Sequence, residues 1–171
     1  MSDFAITPAV TAADIEAVRG LCWDYREFML RNSELDRKIT ETFYPMSKYS
    51  SLMRDLPDAH ARPTGFIAIA RDQTGAAVGC GMTHAIDSQT SEVKRVFVSD
   101  MARGKGLAGV LCQALMDQAR LDGFTRVVLD TSRSLIAAQR LYARLGFSLR
   151  GPYQPIPDQV LSDLLFYETS L

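Results

Sequence analysis

Apolar residues in the first third of the chain recur every three or four positions, the spacing of helices that pack against a core. Ahead of them, the alternating residues 4–7 predict a short strand, and the hydroxyl of Thr11 can cap the first helix. The apolar positions of that helix are Ile15, Val18, Leu21, Cys22, Tyr25 and Phe28. Residues 35–56 continue the helical pattern, with Pro45 at a break or in a first turn.

Near residue 65 the spacing changes to that of strands. Residues 65–70 and 76–86 are apolar runs on either side of a turn at residues 72–75, an arrangement typical of a β-hairpin. Residues 92–98 follow and predict a third strand. The middle of the chain is therefore expected to form an antiparallel meander.

Beyond the meander, helices and strands alternate. Residues 104–122 place their apolar side chains on one helical face, and Gly123 ends the pattern. Residues 126–129 have the composition of a buried strand, and a second amphipathic helix then ends at Gly146. The apolar face of that second helix carries Leu135, Ala138, Leu141, Tyr142 and Leu145.

The C-terminal part adds a short strand at residues 147–149, a proline-rich stretch and a last strand at about residues 161–169. The predicted fold is α/β, with a mixed sheet in which the antiparallel N-terminal meander is followed by a β-α-β-α unit and a C-terminal strand. Because 171 residues is the length of one ordinary domain, residues 1–171 are expected to form a single domain.

Composition narrows the class of protein. Hydrophobic residues make up 47% and charged residues 23% of the chain, which excludes disordered and fibrous proteins. The longest run without a charged side chain is fourteen residues, shorter than the ~18 of a membrane span, and the N-terminus does not resemble a signal peptide, so a cytoplasmic location without membrane association is expected. The three widely spaced cysteines predict buried free thiols, without a metal site or a thiol nucleophile.

Positive charge is concentrated around one glycine-containing loop. Residues 92–150 carry ten Lys and Arg against five Asp and Glu, although the whole chain has a net charge of −1. That balance predicts a small polyanionic ligand and no nucleic-acid partner. At residues 99–109 a strand leads into a helix, and the glycines and helix N-terminus there suit phosphate oxygens. Arg103 and Lys105 add positive charge to the same loop.

Known phosphate-binding motifs overlap in this loop. Residues 104–109 match Gly-x-Gly-x-x-Gly, and Asp130 stands where a dinucleotide fold places its ribose-binding acid, so a nucleotide oxidoreductase is one alternative. That motif should end a strand immediately, whereas here five residues intervene and an antiparallel meander precedes them. A P-loop is excluded because Gly106, and not Ser or Thr, follows Lys105.

The pattern Arg103-x-x-Gly106-x-Ala108 resembles the coenzyme A pyrophosphate loop of the GNAT superfamily of acyl-CoA-dependent N-acyltransferases. Residues 141–147, Leu-Tyr-Ala-Arg-Leu-Gly-Phe, are similar to the family's second motif, and the resemblance covers residues 77–153 well. It implies that acetyl-CoA donates an acetyl group to a primary amine of a small molecule or peptide. The amine would attack directly in a ternary complex, without a covalent enzyme intermediate.

The resemblance also implies roles for particular residues. The pyrophosphate would bind Arg103, Gly104, Lys105, Gly106, Leu107 and Ala108. The pantetheine arm would lie along the backbone of Val96, Phe97 and Val98. Tyr142 matches the family's general acid for the departing sulfur, and Glu92 matches the glutamate base of some members, on the same side of its strand as Lys94, Val96 and Val98. Many members carry Asn at position 135, where this chain has Leu135, and Ser132 or Ser134 could replace that contact.

Several alternatives stay open at this point. Tyr142 shares a helical face with core residues, and Glu92 could instead pair with a neighbouring basic residue or bind a cationic substrate. His84 fits a strand histidine with a local partner, and Asp130 fits a cap or surface pair. Asp and Glu outnumber Lys and Arg before Glu92, which favours a cationic acceptor. A non-catalytic CoA-binding module would need the same loop, and the oligomeric state is open, although dimers are common in the family.

Overall fold

The computed structural model describes residues 3–171, so Met1 and Ser2 of the predicted domain lie outside the described residues. The strands are β1 (Phe4–Pro8), β2 (Gly65–Asp72), β3 (Ala77–Ala85), β4 (Thr90–Val98), β5 (Arg126–Ser132), β6 (Ser148–Arg150) and β7 (Leu164–Ser170). The helices are α1 (Ala12–Asn32), α2 (Glu34–Phe43), α3 (Met46–Arg54), α4 (Leu56–Ala59), α5 (Leu107–Leu121), α6 (Ile136–Arg144) and α7 (Asp158–Leu161). A 3-10 turn, Asp100–Ala102, separates β4 from α5.

All seven strands belong to one sheet with the order β1-β2-β3-β4-β5-β7-β6. Strands β1 to β4 form the predicted antiparallel meander, and β4 pairs with β5 in parallel. Strand β7 lies between β5 and β6 and is antiparallel to both. This mixed sheet confirms the predicted fold. Within residues 3–171, no helix combines the length and the apolar character that crossing a bilayer requires.

The helical stretch at residues 35–56 is divided into three helices. Pro45 immediately precedes α3 with an extended backbone conformation, φ −56° and ψ 154°, because proline has no amide hydrogen for a helix interior and suits a helix start. Near the C-terminus, residue 161 ends the short helix α7, so the last strand begins three residues later than the pattern predicts. Strand β5 also continues past residue 129 to Ser132.

Helices cover both faces of the sheet, which gives the protein two main apolar layers. On the α5 face, helices α5 and α6 pack on the sheet through residues such as Leu107, Leu111, Leu115, Leu129 and Tyr142. On the α1 face, helices α1, α3 and α4 pack through residues such as Val18, Cys22, Met53, Leu56 and Phe97. The alternation of apolar side chains on the central strands fills both layers.

Strands β4 and β5 pair only at their beginnings and then part. The paired residues are Thr90 with Arg126, Ser91 with Val127, and Glu92 with Val128. Beyond this point β4 continues to pair with β3, and β5 with β7, so each strand keeps one edge that is hydrogen-bonded to a neighbouring strand. The two facing edges are left unpaired and open a gap in the middle of the sheet.

A β-bulge in β4 changes which side chains share a face. The register of β3 and β4 shifts between Cys80 and Met82, and Arg95 has a φ of +51°, a left-handed conformation that costs a non-glycine residue about 1–3 kcal/mol. The prediction that Glu92, Lys94, Val96 and Val98 share one side is therefore wrong. Val96 and Val98 pack on the α5 face, whereas Lys94 lies opposite Met82 on the α1 face.

The first testable prediction concerns Gly65 at the start of β2. A Cβ atom there would lie 2.6–2.7 Å from backbone atoms of His60, which cannot move aside as a flexible side chain can. We expect Gly65→Ala to lower the free energy of unfolding by about 1–3 kcal/mol in urea denaturation. In Gly20→Ala, where the new Cβ meets nothing within 4 Å in helix α1, we expect a gain of about 0.5–1 kcal/mol. Equal effects of the two changes would contradict the close backbone approach.

Candidate active site

The gap between β4 and β5 opens into a cavity of about 970 Å³ that is lined from both faces of the sheet. The α5 side contributes the loop before α5 and residues of α6, including Tyr142. The α1 side contributes residues of α1 and α2 and the aromatic rings of Tyr44 and Tyr49. Between them, residues 93–98 of β4 and 130–132 of β5 form the two walls. The cavity thus connects the glycine-containing loop to a polar chamber on the other face.

The loop before α5 presents a row of unpaired backbone amides. The amide groups of residues 103–108 donate to no acceptor within the described part of the chain, and the first internal bond is from Gly109 to the Gly106 carbonyl, at 3.0 Å. Gly104 and Gly106 have φ of +78° and +77°, which side chains disfavour, and Gly106 is the N-cap of the 15-residue helix α5. These amides and the positive end of the helix dipole suit a diphosphate.

Arg103 and Lys105, the two cationic side chains of the loop, differ in orientation from its backbone amides. Arg103 donates from Nε to the Val98 carbonyl at 3.1 Å and pairs with Asp100 at 2.6 Å, and its guanidinium lies 4.5 Å from the ring of Phe28. Lys105 does not line the cavity. The cavity is lined by the other predicted cofactor-binding residues of the loop and of β4. Ser134, which follows β5, is discussed below. In this conformation, the anion-binding capacity of the loop therefore depends mainly on its amides.

Tyr142 lies on α6 with its ring between those of Phe147 and Tyr167, each 5.8 Å away. Only 8% of the residue is exposed, it lines the cavity, and its hydroxyl has no hydrogen-bond partner among residues 3–171. Burial raises the pKa of Tyr142 well above its usual value. The phenol is consequently protonated at neutral pH and has its proton available for a group in the cavity.

Glu92 is a buried carboxylate that pairs with His84 and Lys94. Its Oε1 accepts hydrogen bonds from Lys94 Nζ at 2.9 Å and from the Tyr153 hydroxyl at 2.8 Å, and its Oε2 lies 2.5 Å from His84 Nε2. Burial alone would raise the pKa of Glu92, but His84 and Lys94 outweigh it and lower that pKa to about 2. With both oxygens occupied, and lying outside the cavity wall, Glu92 is poorly suited to the base role that the sequence predicts. His84 does have the expected local partner.

Ser134 lies away from the cavity, contrary to its predicted place beside the cofactor. Its hydroxyl donates to Oδ2 of Asp36 at 2.6 Å and so ties α2 to the segment after β5. Ser132 and Leu135 line the cavity instead. Of the two serines that could replace the asparagine contact, only Ser132 therefore lines the cavity.

Two residues line the cavity that the sequence does not place there, and Asp130, expected in a cap or surface pair, is one of them. Asp130 lies two positions beyond the last residue of β5 that pairs with β4, and no residue of the described chain forms a hydrogen bond or ion pair with its carboxylate. Arg26 is only 7% exposed and donates from Nε to the Tyr44 carbonyl at 3.1 Å. The sequence does contain a signal for the burial of Arg26, because this residue falls on the same helical face as the buried Cys22 and Met29.

Comparisons with known proteins agree with this geometry. The model of the acetyltransferase (GNAT) family matches residues 30–147. The chain is 28% identical over 162 residues to an uncharacterised N-acetyltransferase of Schizosaccharomyces pombe, covering 93% of each chain. It is 36% identical over 140 residues to the IAA acetyltransferase of Azospirillum brasilense, covering 81% of this chain and 86% of that one.

A solved structure shares the fold. The GNAT phosphinothricin acetyltransferase of Sinorhizobium meliloti, crystallised in complex with acetyl-CoA, superposes with a TM-score of 0.70 at 21% identity, covering 99% of this chain and 89% of that one. The family match spans more than half of the sequence, and the parting strands and amide-lined loop lie within it. The chain therefore belongs to the GNAT acetyltransferase family and is an N-acetyltransferase with acetyl-CoA as its acyl donor.

Proposed function

We propose that the protein transfers the acetyl group of acetyl-CoA to the primary amine of a small molecule by direct attack in a ternary complex. The observation that carries this proposal is the single cavity that joins the unpaired amides of residues 103–108 to Tyr142 and to the chamber on the α1 face. A diphosphate at the loop would leave the rest of the cavity for the pantetheine arm and the acceptor. Helices α1 and α2 enclose the acceptor end, which favours a small molecule over a peptide.

The chemical step requires one bond to form and one to break. The amine nitrogen bonds to the thioester carbonyl carbon, the carbon–sulfur bond breaks, and sulfur leaves as the thiol, while the proton that the nitrogen loses replaces the one that the sulfur takes up. We assign to Tyr142 the proton that the departing sulfur takes up, because its hydroxyl is protonated, faces the cavity and has no hydrogen-bond partner within residues 3–171. The unpaired edge of β4 at Val96, Phe97 and Val98 offers backbone groups to the pantetheine and to the carbonyl oxygen.

The cysteines do not support a covalent route. Cys22, Cys80 and Cys112 are all buried, and none of them lines the cavity. Burial raises the pKa of the Cys112 thiol to about 12, so it is not a thiolate at neutral pH. Direct transfer between the two substrates is the route that these environments favour.

The loop assignment predicts that Gly106→Asp weakens CoA binding about tenfold or more in calorimetric titration, because a carboxylate would face the diphosphate. Gly123→Asp is the matched control. Gly123 has a similar φ of +89° and equally open surroundings, but it lies at the other end of α5. We expect that control to keep the wild-type affinity, and equal losses in both variants would count against the loop.

The acid role predicts that Tyr142→Phe lowers kcat about a hundredfold and leaves the Kd of CoA nearly unchanged. Tyr167→Phe, in the neighbouring ring outside the cavity, should retain the wild-type rate in the same thiol-release assay. A fully active Tyr142→Phe variant would reduce this tyrosine to a packing role. Tight CoA binding without acceptor-dependent thiol release in the wild-type protein would favour the non-catalytic module.

We propose a positioning role for Glu92, which holds Lys94 and Tyr153. Since its pKa is lowered from 4.5 to about 2, ionised Glu92 adds stability that is fully present above pH 4.5 and is lost as the pH falls toward 2. In urea titrations at pH 7, Glu92→Gln should cost about 3 kcal/mol, and this cost should shrink below pH 4.5. Glu168→Gln, which removes the more exposed pair with Arg150, should cost less than about 1 kcal/mol. A cost for Glu92→Gln that is the same at every pH would exclude this linkage.

A further inference from the structure

The α1 side of the cavity contains charged groups that the transfer chemistry leaves unexplained. Arg26, Lys94, Arg95 and Asp130 all line it. Lys94 is neutralised by Glu92, but Arg26, Arg95 and Asp130 belong to no ion pair within residues 3–171. Unpaired charges in a largely buried site are costly to folding, so a ligand with complementary charges is the simplest reason for keeping them.

Arg26 is positioned for an anion. Its Nε donates to the Tyr44 carbonyl, and its guanidinium lies 5.7 Å from the centre of the Tyr49 ring, so the side chain is held in place. The two Nη nitrogens have no hydrogen-bond partner in the described chain, although only 7% of the residue is exposed. A guanidinium with two free, adjacent donor nitrogens matches the geometry of a carboxylate.

Arg95 reaches the same chamber because of the bulge in β4. The bulge turns Arg95 to the side of Lys94, and its guanidinium lies 5.5 Å and 6.0 Å from the rings of Tyr44 and Tyr49. Its Nε is buried without a partner. Arg26 and Arg95 both line the cavity and both lie within 6.0 Å of the centre of the Tyr49 ring, so both cations belong to the part of the chamber around Tyr49.

Asp130 provides the opposite charge. It lies on β5 across the gap from Lys94, since Glu92 and Val128 are the last paired residues and each strand continues two positions further. Burial raises the pKa of Asp130, which makes its carboxylate a better proton acceptor than Glu92. Tyr25 lines the same cavity, and its pKa is raised mainly by burial and further by Asp130, whereas Arg95 lowers it.

We propose that the acceptor is an amino acid, a primary amine that also carries a carboxylate, with the carboxylate bound by Arg26 and Arg95 and the amine at Asp130. This inference rests on the proposed acetyl transfer. Asp130 takes one proton from the acceptor's ammonium group, and the freed amine bonds to the thioester carbonyl carbon as the carbon–sulfur bond breaks. Tyr142 protonates the departing sulfur, the second proton lost by the nitrogen restores the phenol, and the acceptor's carboxylate takes no part in the bond changes. The overall charge of the chain before Glu92 favours a cationic acceptor instead, but those acidic side chains are mostly on the surface and not in the cavity.

The first test uses the wild-type protein and matched substrate pairs. Thiol release from acetyl-CoA is measured with the common amino acids and with the amines that remain when their α-carboxylate is removed, such as phenylalanine with phenethylamine and arginine with agmatine. We expect the better amino acids to exceed their decarboxylated partners at least tenfold in kcat/KM, the size of one lost charge-assisted pair.

Variants then test the assigned residues. Arg95→Gln and Arg26→Gln should raise KM for the amino acid about tenfold with a smaller change in kcat, and should leave the Kd of CoA unchanged. Arg95→Lys should recover part of the loss because it keeps the charge. Asp130→Asn should lower kcat/KM for every amine. Arg31→Gln, an exposed residue of α1 paired with Glu27, is the control and should match the wild type.

The outcomes separate the two proposals. Thiol release that is as fast with decarboxylated amines as with amino acids would overturn the carboxylate subsite and leave acetyl transfer intact. The same conclusion follows if well-folded Arg26 and Arg95 variants keep the wild-type KM. Tight CoA binding with no thiol release for any amine would instead overturn the proposed transfer itself. Because the substrate comparison uses the wild-type protein, it decides the question even if an arginine variant does not fold.

Discussion

Strands β4 and β5 pair for three residues and then part, and the site depends on this interruption. Each strand remains paired on its outer edge, so the sheet keeps its integrity while two inner edges are left without partners. Backbone groups in such a place need other partners, and an extended substrate arm can supply them as an added strand would. The gap is also the passage between the two faces of the sheet, which allows one ligand to reach both.

Glu92 occupies the point where the strands separate, and its contacts explain how that point stays ordered. It is the last residue of β4 that pairs with β5, and three polar side chains surround its carboxylate. Removing a partner from a buried carboxylate is costly, so the network holds Lys94, which lines the cavity, and Tyr153 next to the point where the strands separate. Both oxygens of Glu92 therefore have partners, whereas the carboxylate of Asp130 has no hydrogen-bond or ion-pair partner within residues 3–171.

Both ends of the cavity keep polar groups unsatisfied by the protein. At the loop these groups are backbone amides, which favour any phosphate that approaches the N-terminus of α5. On the α1 face they are the Nη groups of Arg26, the Nε of Arg95 and the carboxylate of Asp130, for which we propose a ligand with both an anionic and a cationic group. The donor end is therefore suited to a feature shared by all acyl-CoA molecules, whereas the acceptor end is the part that, in our proposal, discriminates among amines.

The sequence by itself determined the order of the elements, the mixed sheet and the glycine loop, because hydrophobic spacing and left-handed glycine conformations are local properties. Only the tertiary structure decided which side chains meet in the site. Tyr153 reaches Glu92 from 61 positions away, and Ser134 reaches Asp36 from 98 positions away. A single bulge at Arg95 also inverted the alternation that the strand pattern predicts. Such contacts depend on how helices pack and where a strand register shifts, and neither is encoded in the spacing of neighbouring residues.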